Sequence, residues 1–204
     1  FVQGHPGSMA LPLDVRDDAA VADAAQQVLA QGPLDCVVYC SGIYTPTRAF
    51  KLDASDAIRH MDVNYNGALR VLAAVLPAML ARGRGHISLV SSVAGYRGLT
   101  KGLVYGPTKA ALTHLAEGLY LDLRGKGLGV SVVNPGFVQT PATAVNDFAM
   151  PALISAAQAA QHMLGGWAAG DFEIHFPKRF TRWMQLLRVL PDRWFFALVR
   201  KFTQ

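Results

Sequence analysis

The sequence predicts an α/β fold, a doubly wound parallel sheet, and three features carry that expectation. Short apolar runs alternate with alanine-rich helical stretches along all 204 residues, the pattern of parallel strands joined by crossover helices. The run at 35–40 is apolar almost without interruption, as in a strand covered on both faces. The run at 85–91 ends on hydroxyls at Ser91 and Ser92, at the carboxyl edge where open α/β sheets take their ligands.

Each element follows from local signals. Residues 9–13 read as a short strand, and 17–30 as an alanine-rich helix ended by Gly32-Pro33. After the strand at 35–40 comes a long helix at 62–81 whose Pro77 should kink it. Pro107 suits the first turn of the helix that follows Ser92, because a missing N–H costs little there. A strand at 128–134, a helix at 155–168 and a closing strand at 171–176 complete the body. Residues 177–204 read as two short helices broken at Pro191, a basic amphipathic extension of the domain formed by 1–176. No repeat or low-complexity linker interrupts this order.

Composition narrows the class. Hydrophobic residues make up 51% of the chain, enough for one domain with a sizeable core. No apolar run in the sequence reaches the roughly 18–20 residues of a membrane span, and no charged-then-apolar leader opens the chain. A cytoplasmic location is therefore expected. Cys36 and Cys40 fall in one predicted strand and are expected to be buried, reduced thiols. Six scattered histidines lack ligand spacing, so no metal is expected. The net charge of +5 is concentrated in the tail, where seven Lys and Arg from residue 177 onward oppose only Asp192. The near-neutral body argues against a nucleic-acid surface.

The chemistry-bearing pattern is Ser92, then Tyr105 thirteen residues on, then Lys109 four later, in SSVAGYRGLTKGLVYGPTK. Residues at i and i+4 share a helix face, so the spacing sets an ammonium beside a phenol. A phenol near pKa 10 exchanges protons poorly at neutral pH. A neighbouring cation favours the phenolate, and the expectation is a Tyr105 pKa brought down towards the working range. Tyr-x3-Lys alone is weak; the upstream serine and the segments around it make it specific.

Those segments are Leu13-Asp14-Val15, Cys40-Ser41-Gly42, Val63-Asn64 with Gly67, and Asn134-Pro135-Gly136 with Thr140. In this order, over nearly the whole chain, the set closely resembles the short-chain dehydrogenase/reductase family. The resemblance implies a Rossmann-like sheet that binds NAD or NADP and moves hydride between nicotinamide and a carbonyl or alcohol carbon. It implies Tyr105 as general acid/base and Ser92 as holder of the substrate oxygen. Lys109 would tune the tyrosine and grip the nicotinamide ribose, and Asn64 would support a water-linked proton relay to the lysine. Asp14 and Val15 would flank the adenine, although a strand-end aspartate capping the next helix explains Asp14 equally well. Cys40-Ser41-Gly42 stands where the family has Asn-Ala-Gly, with Gly42 admitting the ribose. Pro135, Gly136, Val138 and Thr140 would wrap the nicotinamide end. The family also implies a homo-oligomer through helices near 62–81 and 105–124.

The family's glycine-rich turn between first strand and helix does not occur in the sequence. Residues 9–13 resemble the family's third strand, so the sheet is expected to lack the first βαβ portion, about 35–50 residues. Weak or no dinucleotide binding by this chain is expected with it. Tyr96, Leu99, Leu103, Phe137, Phe148, Met150 and Leu153 in the two candidate substrate loops suggest an apolar carbonyl or alcohol. The tail reads either as a lid over the pocket or as a peripheral membrane contact through 178–204. The alternative to an enzyme is a non-catalytic Rossmann-like interaction module or inactive fragment. A serine hydrolase is set aside, since no Gly-x-Ser-x-Gly turn is present.

Overall fold

In the computed structural model, which describes residues 4–203, capping residues set where the elements start. Asp17 accepts the amides of Ala19 and Ala20 at 3.0 Å and opens helix α1, Asp18–Gln31. Strand β1 is Cys36–Tyr39. Asp53 accepts the Ser55 amide at 2.8 Å and starts α2, Ala54–Met61. A π turn at Asp62–Asn66 then leads into α3, Gly67–Arg82. The helix thus begins a full eight residues before the expected start at 62, and it continues through Pro77. The irregularity in the rod is the π turn, where one extra residue is admitted per turn.

Strand β2 is Gly85–Val90 and α4 is Tyr105–Leu123, with Pro107 in its first turn as expected. Strand β3 is Leu128–Pro135. A reciprocal Ser155–Gln158 capping box begins α5, Ala156–Ala169. Strand β4, Glu173–Phe176, is followed by α6, Lys178–Val189, and α7, Asp192–Thr203, which part at Pro191.

The four strands are all parallel and lie in the order β1-β2-β3-β4. Side chains alternate across them. Ile87, Leu89, Val130 and Val132 meet Leu72, Val75 and Met79 of α3 and Leu112 and Ala116 of α4. Val133, Ile174 and Phe176 point the other way and pack with Ala159, Met163 and Trp167 of α5. Helices therefore cover both faces, as the doubly wound expectation requires. The stretch Ala54–Arg82 is long and apolar enough to cross a membrane by length and composition, contrary to the reading of the bare sequence. Here Ala68, Leu72, Val75 and Met79 place it in the core.

Two further expectations are corrected. Residues 9–13 are not a strand, because among the described residues no strand lies beside them to take their hydrogen bonds. Cys36 and Cys40 are free but exposed rather than buried. Among the described residues β1 pairs only with β2, so it is an edge and its outward groups meet solvent.

Candidate functional site

Tyr105 is the first residue of α4 and Lys109 lies one turn along. The Lys109 side chain is buried, its Nζ donates to the Val90 carbonyl at 2.8 Å and stands 5.6 Å from the centre of the Tyr105 ring. The end of β2 thus anchors the lysine beside the tyrosine. Ser92 leads into a 3₁₀ turn at Val93–Gly95, and its Oγ accepts the Ala94 amide at 3.1 Å. Gly95 permits this turn to lie on α4, since a Cβ there would sit 2.8 Å from the Ala110 nitrogen. Ser91 is committed elsewhere: its hydroxyl donates to the Lys109 carbonyl at 2.6 Å and meets Thr113 Oγ1 at 3.0 Å.

Asn64 comes from the π turn and is fully buried. Its Oδ1 accepts the Ile43 amide at 2.7 Å, while Nδ2 donates to the Ile43 carbonyl at 3.0 Å and to Thr108 Oγ1 at 2.9 Å. Thr108 in turn donates to the Tyr105 carbonyl at 2.8 Å. Gly42 sits against this group, because a Cβ on it would stand 3.4 Å from Asn64 Oδ1 and 3.5 Å from Lys109 Nζ. Four chain segments therefore converge: the turn after β1, the π turn, the turn after β2 and the start of α4.

Electrostatics differ from the expectation. Burial pushes the Tyr105 phenol up to about 12, against a hydrogen bond from Ser92 that pulls it down. Burial likewise brings Lys109 down to about 8. Dehydration is the largest effect on the phenol, and Lys109, 5.6 Å from the ring centre, is bonded to the Val90 carbonyl. A phenol in this state is protonated at neutral pH.

Of the residues expected around a dinucleotide, Ser41 follows β1 and Pro135 ends β3 at the carboxyl edge of the sheet. Ser41 is exposed beside Gly42. Pro135 ends β3, and the Gly136 amide donates to the Phe176 carbonyl at 2.8 Å. Val138 bridges to Ile154, and the Thr140 amide donates to Thr143 Oγ1 at 3.1 Å. Val15 packs against the main core at Gly67. The Asp14 carboxylate is held by Arg16 in contacts of 2.6–3.0 Å, which bring its pKa down to about 2. An open cleft of about 470 Å³ runs along Arg16, Asp53, Asp56, Arg59 and Asp62. It includes none of the Tyr105 group.

Of the substrate-loop candidates, Tyr96 and Leu99 pack with Val93, Met184, Phe180 and Leu187, and the Tyr96 hydroxyl donates to Glu173 at 2.5 Å. Those two are core. Phe137 contacts Phe148 and Phe180 at ring distances of 5.8 and 5.7 Å. Leu103, Phe148 and Leu153 are exposed, and Met150 takes a contact from Asn146 at 3.3 Å.

Sequence reasoning missed Tyr44 and Asn146. The Tyr44 ring meets Tyr105 edge-on at 5.0 Å, and its hydroxyl donates to Asn146 Oδ1 at 3.0 Å across the fold. Lys101 pairs with Asp147 beside it. The clasp joins residues far apart in the chain, so no local spacing could signal it. Thr108 was legible in principle, one turn after Tyr105 on a predicted helix.

The short chain dehydrogenase family model matches residues 3–149. An uncharacterized oxidoreductase of Myxococcus xanthus is 38% identical over 190 residues, 93% of this chain and 75% of that protein. The 17-beta-hydroxysteroid dehydrogenase type 1 of Mus musculus is 40% identical over 139 residues, 66% of this chain but 39% of that protein. The chain thus spans three quarters of one relative and well under half of the other. A short chain dehydrogenase from Burkholderia cenocepacia, solved in complex with NADP, shares the fold at TM-score 0.81 and 24% identity, covering 98% of this chain and 80% of that one. With a family model over most of its length and a relative aligned nearly end to end, the chain belongs to the short-chain dehydrogenase family, enzymes that use NAD or NADP.

Proposed function

We propose that this chain carries the catalytic residues of an oxidoreductase acting on an apolar carbonyl compound or the matching alcohol. The observation that carries the reading is the meeting of Ser92, Tyr105, Lys109, Asn64 and Gly42 at one end of the sheet. A nicotinamide dinucleotide, NADP or NAD, supplies or accepts the hydride. Its nicotinamide end suits the residues present. Gly42 leaves open the space that a Cβ would fill, beside a buried amine and a buried amide. Pro135, Gly136, Val138 and Thr140 follow the end of β3 and would meet the same nicotinamide end, Ser41 stands next to Gly42, and Asp14 and Val15 would flank the adenine.

In the reductive direction Tyr105 donates its proton to the substrate oxygen, while the Ser92 hydroxyl donates a hydrogen bond to that oxygen as charge develops on it. A phenol raised to about 12 is fully protonated at neutral pH and ready for that role. Lys109, poised near 8, restores the proton, and Asn64 holds the turn at Ile43 beside it. Exposed apolar side chains at Leu103, Phe148 and Leu153, with Phe137 behind them, support an apolar substrate. Exposed Leu69 and Leu80 on α3 and Leu121 on α4 support pairing of two copies through these helices. The cytoplasm, where the pool of nicotinamide dinucleotides and reduced thiols suits both cofactor and cysteines, is the proposed location.

The test is a comparison of Tyr105→Phe, Ser92→Ala and Ser91→Ala in the enzyme with its complete dinucleotide domain. Tyr105→Phe should lower kcat by about two to four orders of magnitude while dinucleotide fluorescence still reports binding. Ser92→Ala should cost about a hundredfold. Ser91→Ala should leave kcat within a few fold and cost about 1 kcal/mol of stability. Full turnover in Tyr105→Phe would refute the assignment.

A further inference from the structure

The α6–α7 tail has two unlike faces. Towards the body, Thr181, Met184 and Phe195 are buried, and Phe180 and Leu187 pack beside Tyr96. Arg97 fastens this side: it donates to the Leu190 carbonyl at 2.6 Å, pairs with Asp192 and lies 4.0 Å over the Phe195 ring. The tail therefore packs on the body through one side of its helices only.

The other face is bare. On α6, Trp183 and Val189 are 65% and 74% exposed, with Leu186 between them; on α7, Trp194 is 59% exposed and Phe196 lies near it. Arg179 and Arg182 are exposed on α6, each four residues before an exposed apolar side chain, Trp183 and Leu186 respectively. Arg193 lies over the Trp194 ring. Among the described residues Arg179, Arg182, Arg193 and Arg200 have no carboxylate partner, whereas Asp192, the tail's one acid, is held by Arg97.

We infer that this outer face docks on an anionic lipid bilayer, with Trp183, Leu186, Val189 and Trp194 in the headgroup region and the arginines on lipid phosphates. A lone apolar face would fit a protein partner equally. The charge decides: an unpaired cationic fringe around tryptophans finds its complement in anionic headgroups. A second copy of this chain offers a body with twelve Lys and Arg against thirteen acids, and so no matching field. Arginine stems cover apolar surface while their heads reach outward, which suits a helix lying in an interface. On its inner side α6 meets the candidate substrate loop, where the Phe180 and Phe137 ring centres are 5.7 Å apart, so the helix that docks also packs against that loop. The inference stands independently of the hydride chemistry.

Vesicle co-sedimentation of the full chain tests it, using phosphatidylcholine vesicles with and without phosphatidylglycerol. Binding is expected only with phosphatidylglycerol, weakening at least tenfold on raising salt from low to physiological, since exposed charges are screened. The tryptophan emission should shift to the blue on binding. Trp183→Ser with Trp194→Ser should weaken binding at least tenfold, as should Arg179→Gln with Arg182→Gln, while circular dichroism stays unchanged. No sedimentation at low salt overturns the inference. So does equal binding to neutral vesicles, or a dimer by light scattering that the tryptophan substitutions dissociate.

Discussion

Lys109 is the residue whose environment has the clearest measurable consequence. Its pKa in the fold is about 8 against 10.5 for an ordinary lysine. Below pH 8 both folded and unfolded chains carry the proton, and the fold bears the full cost of burying a charge. Between pH 8 and 10.5 the folded lysine has lost its proton and the unfolded one has not, so that cost is relieved and stability rises with pH. From pH 7 to 9.5 the gain is about 2 kcal/mol. Denaturant unfolding of wild type and Lys109→Met at the two pH values should show that gain in the wild type alone. Equal pH dependence in both would mean that the lysine is hydrated in the fold. Tyr105 acts with the opposite sign only above pH 10, where the unfolded phenol ionises and the folded one at about 12 does not. This is also where local spacing misled. The interval between Tyr105 and Lys109 was legible and correct for their side-by-side placement, but the sign of the electrostatic effect depends on burial, which a four-residue interval does not encode.

At the scale of elements, the π turn at Asp62–Asn66 does most to shape the site, because it turns Asn64 inward. Tyr39 of β1 holds it by donating to the Val63 carbonyl at 2.5 Å. Gly67 follows, and a Cβ there would lie 2.3 Å from the Tyr39 hydroxyl oxygen and 2.9 Å from Val15 Cγ2. Gly67→Ala should therefore destabilise the chain by about 1–3 kcal/mol, and should loosen the Ile43–Asn64 contacts. Denaturant midpoints together with amide exchange at Ile43 check both effects; unchanged protection would dissociate the turn from the loop. The helix and strand sequence patterns found α4, β2, β3 and α5 to within a residue or two. Their signals are local: Pro107 at a helix start, Ser155 at a cap, apolar runs of strand length. Residues 9–13 had an equally good strand pattern and still formed none, since a strand exists only against a neighbour. For the same reason the burial expected of Cys36 and Cys40 failed, as burial is a property of the sheet and not of the run.

For the molecule as a whole, the described residues supply the carboxyl edge of four parallel strands and the groups proposed to meet a nicotinamide ring. Among them no glycine-rich turn joins a strand to a helix N-terminus, the usual seat for a pyrophosphate. The 204-residue chain should accordingly bind NADP and NAD more weakly than micromolar by calorimetry. Micromolar binding would show that the edge alone suffices. The Tyr44–Asn146 clasp belongs to this scale too. It became visible only once the chain was folded, whereas the Ser92, Tyr105 and Lys109 trio could be read from spacing.

The free flank of β1 has a practical corollary. Among the described residues the ladder from Cys36 to Tyr39 runs on one side only, and a row of peptide groups is left to bond with whatever ribbon comes alongside. In concentrated solution the nearest such ribbon is another molecule's identical flank. Self-templated clumping, hardened by oxidation across Cys36, is then the expected fate of the purified chain, and a reductant with dilution is the expected remedy.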